Sequence, residues 1–235
     1  MLEGSKQYHN FYSILKNSTF FKDLKNESLQ EFLNLANVET WEKGRIFSQT
    51  EKTLQYFYFI VSGRLKIYKI NPQTGNEFTL YINKNGDIFD VITLLENKPH
   101  AIEMETLDKV TLLTIPIGVI RKWIKIQPEF NRKLLPYIAD QLELMEEKAS
   151  DMALLDTWTR TVKLFAQNTI QDIHDHELKL INNLSHHEIA KIIGTSKNVI
   201  NRHIQKLKEK KILHINRKHI EIKDHTALLD MLNKF

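Results

Sequence analysis

Five polar side chains near the C-terminus, Lys197, Asn198, Asn201, Arg202 and Lys206, are spaced so that a helix would carry them near its N-terminal end and along one side. Arginine and asparagine can form paired hydrogen bonds with guanine and adenine edges, so the chemistry they offer is the reading of duplex nucleic acid. Around them, residues 195–223 hold nine Lys and Arg against two Asp and Glu. Residues 1–150 balance at 19 basic and 19 acidic, residues 151–235 hold 14 against 10, and the net charge of +4 therefore lies in the last part of the chain. Lys208, Lys210, Lys211, Arg217 and Lys218 suit phosphate contacts. Ser185, Thr195 and Ser196, at two helix starts, complete the candidate contact set. A lysine-rich solvated face would account for the charge equally well, so the element that carries it has to decide.

Catalytic chemistry finds little to work with. There is no cysteine, which excludes disulfides, thiolate catalysis and a cysteine-ligated iron–sulfur cluster. No Gly-rich phosphate loop, G-x-S-x-G or HExxH occurs. His186-His187 and the pair His174 and His176 lack a carboxylate or cysteine at metal-binding spacing and are expected in loops or on the surface. No enzyme activity and no metal site are expected.

The element behind the basic cluster is LSHHEIAKIIGTSKNVINRHIQKLKEKKIL, starting at residue 184. Ser185 and Glu188 have the spacing of a capping box. Ile189, Ile192 and Ile193 give a short helix its apolar face, and Gly194 ends it in a left-handed turn. Thr195 or Ser196 then caps a second helix with Val199, Ile200, Ile204 and Leu207 inward. Two short helices about a glycine turn make a helix-turn-helix. KILHINRKHIEIKD, residues 211–224, adds strand, turn and strand, a β-wing.

Upstream, residues 10–38 are amphipathic helical turns, and from Trp41 the period changes. FYFIVSG, RLKIYKI, FTLYI and VTLLTIP are short strands, with Leu65 and Ile67 inward against Arg64, Lys66 and Lys69. Gly44, Gly63, Gly75 and Gly86 fall at turns. The pattern is an antiparallel β-roll, giving an α+β chain. After QPEF, Leu135, Ile138, Leu142, Met145, Ala149 and Met152 follow a heptad spacing on a long helix, with charged Glu143, Glu146, Glu147 and Lys148 beside it. That seam is the expected dimer interface, although a core stripe would have the same spacing. Pro136 is expected to kink this helix or displace its start. The expected domains are a β-roll sensor with N-terminal helices over 1–127, a dimerisation helix over 128–152 and a DNA-binding winged helix-turn-helix over 153–235. No run approaches the ~20 apolar residues of a membrane span, and MLEGSKQYHN lacks a secretion-signal core, so a soluble, cytoplasmic protein is expected.

In order and spacing, YFYFIVSGRLKIYKINPQTGNEFTLYINKNGDIF, the helix ending in EKASDMALLDTWTRTVKLF, and the helix-turn-helix resemble the Crp/Fnr superfamily of bacterial transcription regulators over nearly the full length. The resemblance implies a homodimer, a cyclic-nucleotide-binding-like sensor (a double-stranded β-helix) and allosteric control of binding to a pseudo-palindromic operator. RNA polymerase is a further candidate partner. Cyclic-AMP-responsive members carry a phosphate-binding cassette after the GD turn, with a glutamate and an Arg-Ser pair. In GDIFDVITLLENKPHAIEMETL, Val91 stands at the glutamate, Ala101 and Ile102 stand at Arg-Ser, and no arginine occurs between Arg64 and Arg121. On the long helix, Met145-Glu146 replaces the pair that meets adenine. Cyclic AMP is therefore not expected. An apolar pocket of Ile88, Phe89, Ile92, Leu94, Leu142 and Met145 remains, open to haem, to a small hydrophobic effector, or to nothing. Haem needs an axial ligand, for which the sensor offers His9 and His100. Related members usually carry a glutamate near 198, and Asn198 departs from that. The alternatives are a haem-dependent gas sensor of the same family and a ligand-binding β-roll protein that does not touch DNA.

Overall fold

The computed structural model describes residues 5–18, 20–48, 51–169, 181–216 and 219–232. The chain divides into two compact units, Met1–Lys69 with Tyr81–Leu144, and Ile70–Leu80 with Met145–Phe235.

The first unit begins with α1 (Lys6–Asn17) and α2 (Asn26–Leu35). The Ser5 side chain accepts from Tyr8 N and starts α1. The strands are β1 (Asn37–Trp41), β2 (Ile46–Ser48), β3 (Tyr56–Ser62), β4 (Leu65–Ile70), β5 (Glu77–Asn83), β6 (Ile88–Phe89), β7 (Glu103–Thr106) and β8 (Val110–Pro116). They form two antiparallel four-stranded sheets, in the orders β1-β8-β3-β6 and β2-β7-β4-β5. Short helices α3 (Glu51–Gln55) and α4 (Val91–Glu96) interrupt the strands, and α5 (Ile117–Ile126) follows β8. The helices close over the sheet through aromatic edges. Phe21 meets Phe32 and Phe59, while Phe130, at the start of α6 (Pro128–Leu154), meets Phe20 and Trp123.

Two expectations change here. Alternation along β4 puts Lys66 on the wet side, yet its side chain is 1% exposed. Its register partner across the sheet is Glu105, at 2.5 Å, and its ammonium lies 4.5 Å from the Tyr68 ring centroid. A charge paired in this way tolerates a burial that alternation alone would forbid. Pro136 does not displace the start of the long helix. α6 begins at Pro128, whose missing N–H has no intrahelical partner to lose, and the helix is assigned through Pro136.

The second unit holds α7 (Thr157–Thr169), α8 (His186–Ile193), α9 (Lys197–Glu209), the antiparallel pair β9 (Leu213–Asn216) and β10 (His219–Ile222), and α10 (His225–Leu232). Val162, Phe165, Ile189, Ile200, Leu207 and Leu228 are fully buried and make its core.

Gly63, between β3 and β4, has φ +89°, and an added Cβ would lie 2.5 Å from Lys109 O. Gly75 has φ +70° and open space around it. Gly75→Ala should cost about 1–2 kcal/mol from backbone strain alone. Gly63→Ala should cost about 1–3 kcal/mol more from the clash. Denaturant midpoints of the two variants check the difference.

Candidate nucleic-acid interface

The helix-turn-helix is assembled by local hydrogen bonds. Ser185 Oγ accepts from Glu188 N at 3.2 Å and starts α8. Gly194 closes α8 at φ +73°, and Thr195 N donates to Ala190 O at 2.9 Å. Of the two candidate caps for α9, Ser196 is the one used, its Oγ accepting from Val199 N at 3.4 Å. Space at 194 is also tight. A Cβ there would lie 2.8 Å from Met152 Cε and 3.3 Å from the Phe78 ring.

α9 buries Ile200, Ile204 and Leu207 and leaves Lys197, Asn198, Asn201, Arg202, Lys206 and Lys208 exposed. Two of these exposed candidates are already engaged. Asn201 Oδ1 lies 2.6 Å from His186 Nδ1, which occupies the acceptor that paired bonding to adenine would use. Asn198 carries no such tie. The Lys206 ammonium sits 4.2 Å from the Trp158 ring centroid, a cation–π contact that holds the lysine along α9. Arg217 and Lys218, expected on the wing, lie outside the described residues, as do His174 and His176. His186 and His187, expected in a loop or on the surface, form the first turn of α8, with His187 exposed.

A further side chain on α9, unmarked by charge or motif, is His203. Its Nδ1 lies 3.0 Å from Thr161 Oγ1, whose own hydroxyl donates to Thr157 O at 2.7 Å, so His203 Nδ1 carries the proton and donates. Trp158 packs edge-on against its ring. Burial lowers the His203 pKa, and repulsion from Arg202 and Lys206 adds to this, against attraction by Asp156. The sequence signal was a histidine lying between inward Ile200 and Ile204.

The proposed dimer seam is split in use. Leu135 and Leu142 are 64% and 67% exposed, and Ala149 is also exposed. Ile138 is partly packed on the core of the first unit. Met145 is half-buried, and Met152 lies against the Gly194 turn.

The expected effector pocket is not formed from its six residues. Ile88 and Leu94 belong to the core, Phe89 stacks on Tyr58 at 4.5 Å, and Ile92 and Leu142 face outward in the single chain. Burial of apolar side chains against their own sheet wins over lining a void. A cavity of about 390 Å³ opens elsewhere, between α1 and β3, where Ile14, Asn17, Phe59, Val61 and Asn85 line it. The cassette segment forms α4, and Asp90 at its start is paired through one oxygen, the other being buried without a hydrogen-bond partner. Asp90, at φ +58°, accepts from Thr93 N at 3.2 Å and meets His100 Nδ1 at 3.1 Å through the same oxygen. Burial raises the Asp90 pKa, but the bonds from His100 and Thr93 outweigh it and hold the carboxyl below the usual range. Arg121, from α5, donates to Leu94 O and Thr93 O, both at 2.9 Å. A cyclic phosphate would thus meet a buried carboxylate, and a guanidinium already committed to carbonyls. These residues do not fit a cyclic nucleotide. His9 is exposed on α1. Among the described residues no three His, Asp or Glu form a metal-binding group, and no helix is long and apolar enough to cross a membrane.

Residues 38–127 match the family model of the cyclic nucleotide-binding domain, and residues 158–231 match the Crp-like helix-turn-helix domain. The chain is 25% identical over 174 residues to a CRP-like cAMP-activated global transcriptional regulator of Mycobacterium tuberculosis, covering 73% of this chain and 77% of that one. It is 26% identical over 193 residues to the global nitrogen regulator of a Nostoc species, covering 79% and 84%. Its fold is similar to that of a CooA mutant from Carboxydothermus hydrogenoformans, with TM-score 0.73 and 20% identity over 93% of this chain and 97% of that one.

The His203 environment sets a pH dependence. An unfolded histidine takes up its proton near the usual 6.5, and the folded one does so at lower pH. In that window the unfolded state binds more protons, so stability falls as pH drops through 6.5. Thermal melts of wild type and His203→Gln from pH 5 to 8 should show this component in the wild type and its loss in the variant.

Proposed function

Because the chain belongs to the Crp/Fnr superfamily of DNA-binding transcription regulators, which are not enzymes, we propose that it acts as a homodimer reading a pseudo-palindromic operator. The observation that carries this reading is the face of α9, where Lys197, Asn198 and Arg202 are exposed above a buried row of Ile200, Ile204 and Leu207. Two such helices, placed about 34 Å apart by the dimer, would enter successive major grooves. Arg202 is assigned to a guanine. Asn198 is assigned to an adenine in preference to Asn201, whose carbonyl oxygen is held by His186. Lys206 and Lys208 are assigned to phosphates, with Arg217 and Lys218 of the wing. Leu135 and Leu142, exposed on α6, support a dimer built on that helix.

No cyclic nucleotide is assigned as the effector, since Ala101 and Ile102 stand where an Arg-Ser pair would meet the phosphate and the buried carboxylate of Asp90 lies at the start of α4. DNA binding is set by another ligand or by the chain alone. In either case the readout is a shift between two placements of the helix-turn-helix about residues 150–156.

Selection from random duplexes should return a two-fold symmetric site. On that site Arg202→Ala should lose ~1–3 kcal/mol, confined to one base position per half-site. Equal loss on every duplex would reduce Arg202 to a phosphate contact. Leu142→Glu should sediment as a monomer and bind the full site at least ~100-fold more weakly, since a second recognition helix is then no longer held over the second half-site. Cyclic AMP at ~1 mM should leave the melting temperature unchanged, whereas a ligand at 100 times its Kd would add ~2.7 kcal/mol.

A further inference from the structure

Residues 70–80, the tip of the β4–β5 hairpin, fold with the second unit, and most of what holds them there is polar. Lys148 of α6 donates from Nζ to Thr79 O at 2.6 Å and to Leu80 O at 3.0 Å, with its ammonium 5.0 Å from the Phe78 ring centroid. Phe78 in turn approaches the Gly194 turn beside Met152. Glu77 lies 2.7 Å from Lys191 Nζ on α8, and Lys191 also pairs with Glu188 at 3.1 Å. The tip therefore touches α6 and the α8–α9 turn together, and leaves the exposed face of α9 uncovered.

The charge on Lys148 is poorly compensated. Its nearby carboxylate, Asp151, is 2.7 Å from Lys163 of α7, which also holds Glu147 at 2.8 Å. Glu77 and Glu188 are turned to Lys191. What faces the ammonium is two carbonyls and a ring. Burial accordingly brings the Lys148 pKa down to about 8, with Asp151 opposing. A cation held this way loses more in hydration than its neighbours return.

We propose that the hairpin tip is a releasable clamp on the helix-turn-helix and that the charge of Lys148 is what releases it. Closed, the ammonium exchanges water for Thr79 O, Leu80 O and the Phe78 face. Open, it is hydrated again, so its charge works toward release. The clamp stands or falls independently of which DNA the chain prefers.

The linkage has a definite sign. The closed state binds fewer protons between about 8 and the open lysine's 10.5, so closure strengthens as pH rises through that range, by up to ~10-fold in closed-to-open ratio per pH unit. The chain has five methionines, so methyl-labelled methionine in the full-length protein gives a simple NMR spectrum. The ring of Phe78 should shift the Met152 methyl in the closed state. Met152→Leu assigns the resonance and Phe78→Ala marks its open limit. From pH 7.5 to 9.5 the wild-type resonance should move away from that limit. Lys148→Leu and Lys148→Gln, without the charge, should sit at the closed position at every pH. Movement of Lys148→Gln toward the open limit would make Lys148 a structural tie and overturn the proposal. An identical, pH-independent resonance in wild type and both variants would overturn it equally.

Discussion

At residue 194 the backbone must turn left-handed, and the space beside its Cα is taken by Met152 and the ring of Phe78. Glycine meets both conditions, since any other residue would strain the turn and bring a Cβ against those side chains. The rest of the DNA-binding unit depends on that constraint. With the turn closed, Ser196 caps α9 directly, Ile200, Ile204 and Leu207 meet the core, and the polar side of the helix is the side left in water.

Side-chain type decides what a group can bind, and its neighbours decide what it is left to bind. Asn201 and Asn198 have the same chemistry, yet His186 holds the carbonyl oxygen of one and leaves the other exposed. Arg121 would suit a phosphate, but its N–H groups end on the carbonyls of α4. Asp90 caps that helix from its other end. Both ends of α4 are thus held by the chain's own groups, with one Asp90 oxygen left buried and unpartnered.

The two enclosed lysines show how environment separates like charges. Lys66 meets the carboxylate of Glu105, and the pair is satisfied within one sheet. Lys148 meets carbonyl dipoles, which return less of the lost hydration. A paired ion fixes structure, whereas an under-compensated one lets structure move.

Strand and helix types over the glycine-punctuated stretches, the capping serines, the Gly194 turn and the wing were legible from residue order. Each depends on local chemistry: alternation, a hydroxyl three residues before an N–H, a residue free to take positive φ. The short strands β1, β2, β6 and β7 and the helices α4, α5 and α10 were not singled out, because runs of two to ten residues with mixed composition carry little periodicity. Sequence alone determined that a helix-turn-helix with a cationic face follows an antiparallel β-roll. Only tertiary structure decided that Ile88, Phe89 and Leu94 are core and not pocket, that Lys66 is buried, that His203 is held by Thr161, and that Lys148 faces carbonyls. Those outcomes depend on partners tens of residues away, and no spacing rule along the chain can name the neighbour that a fold brings into contact.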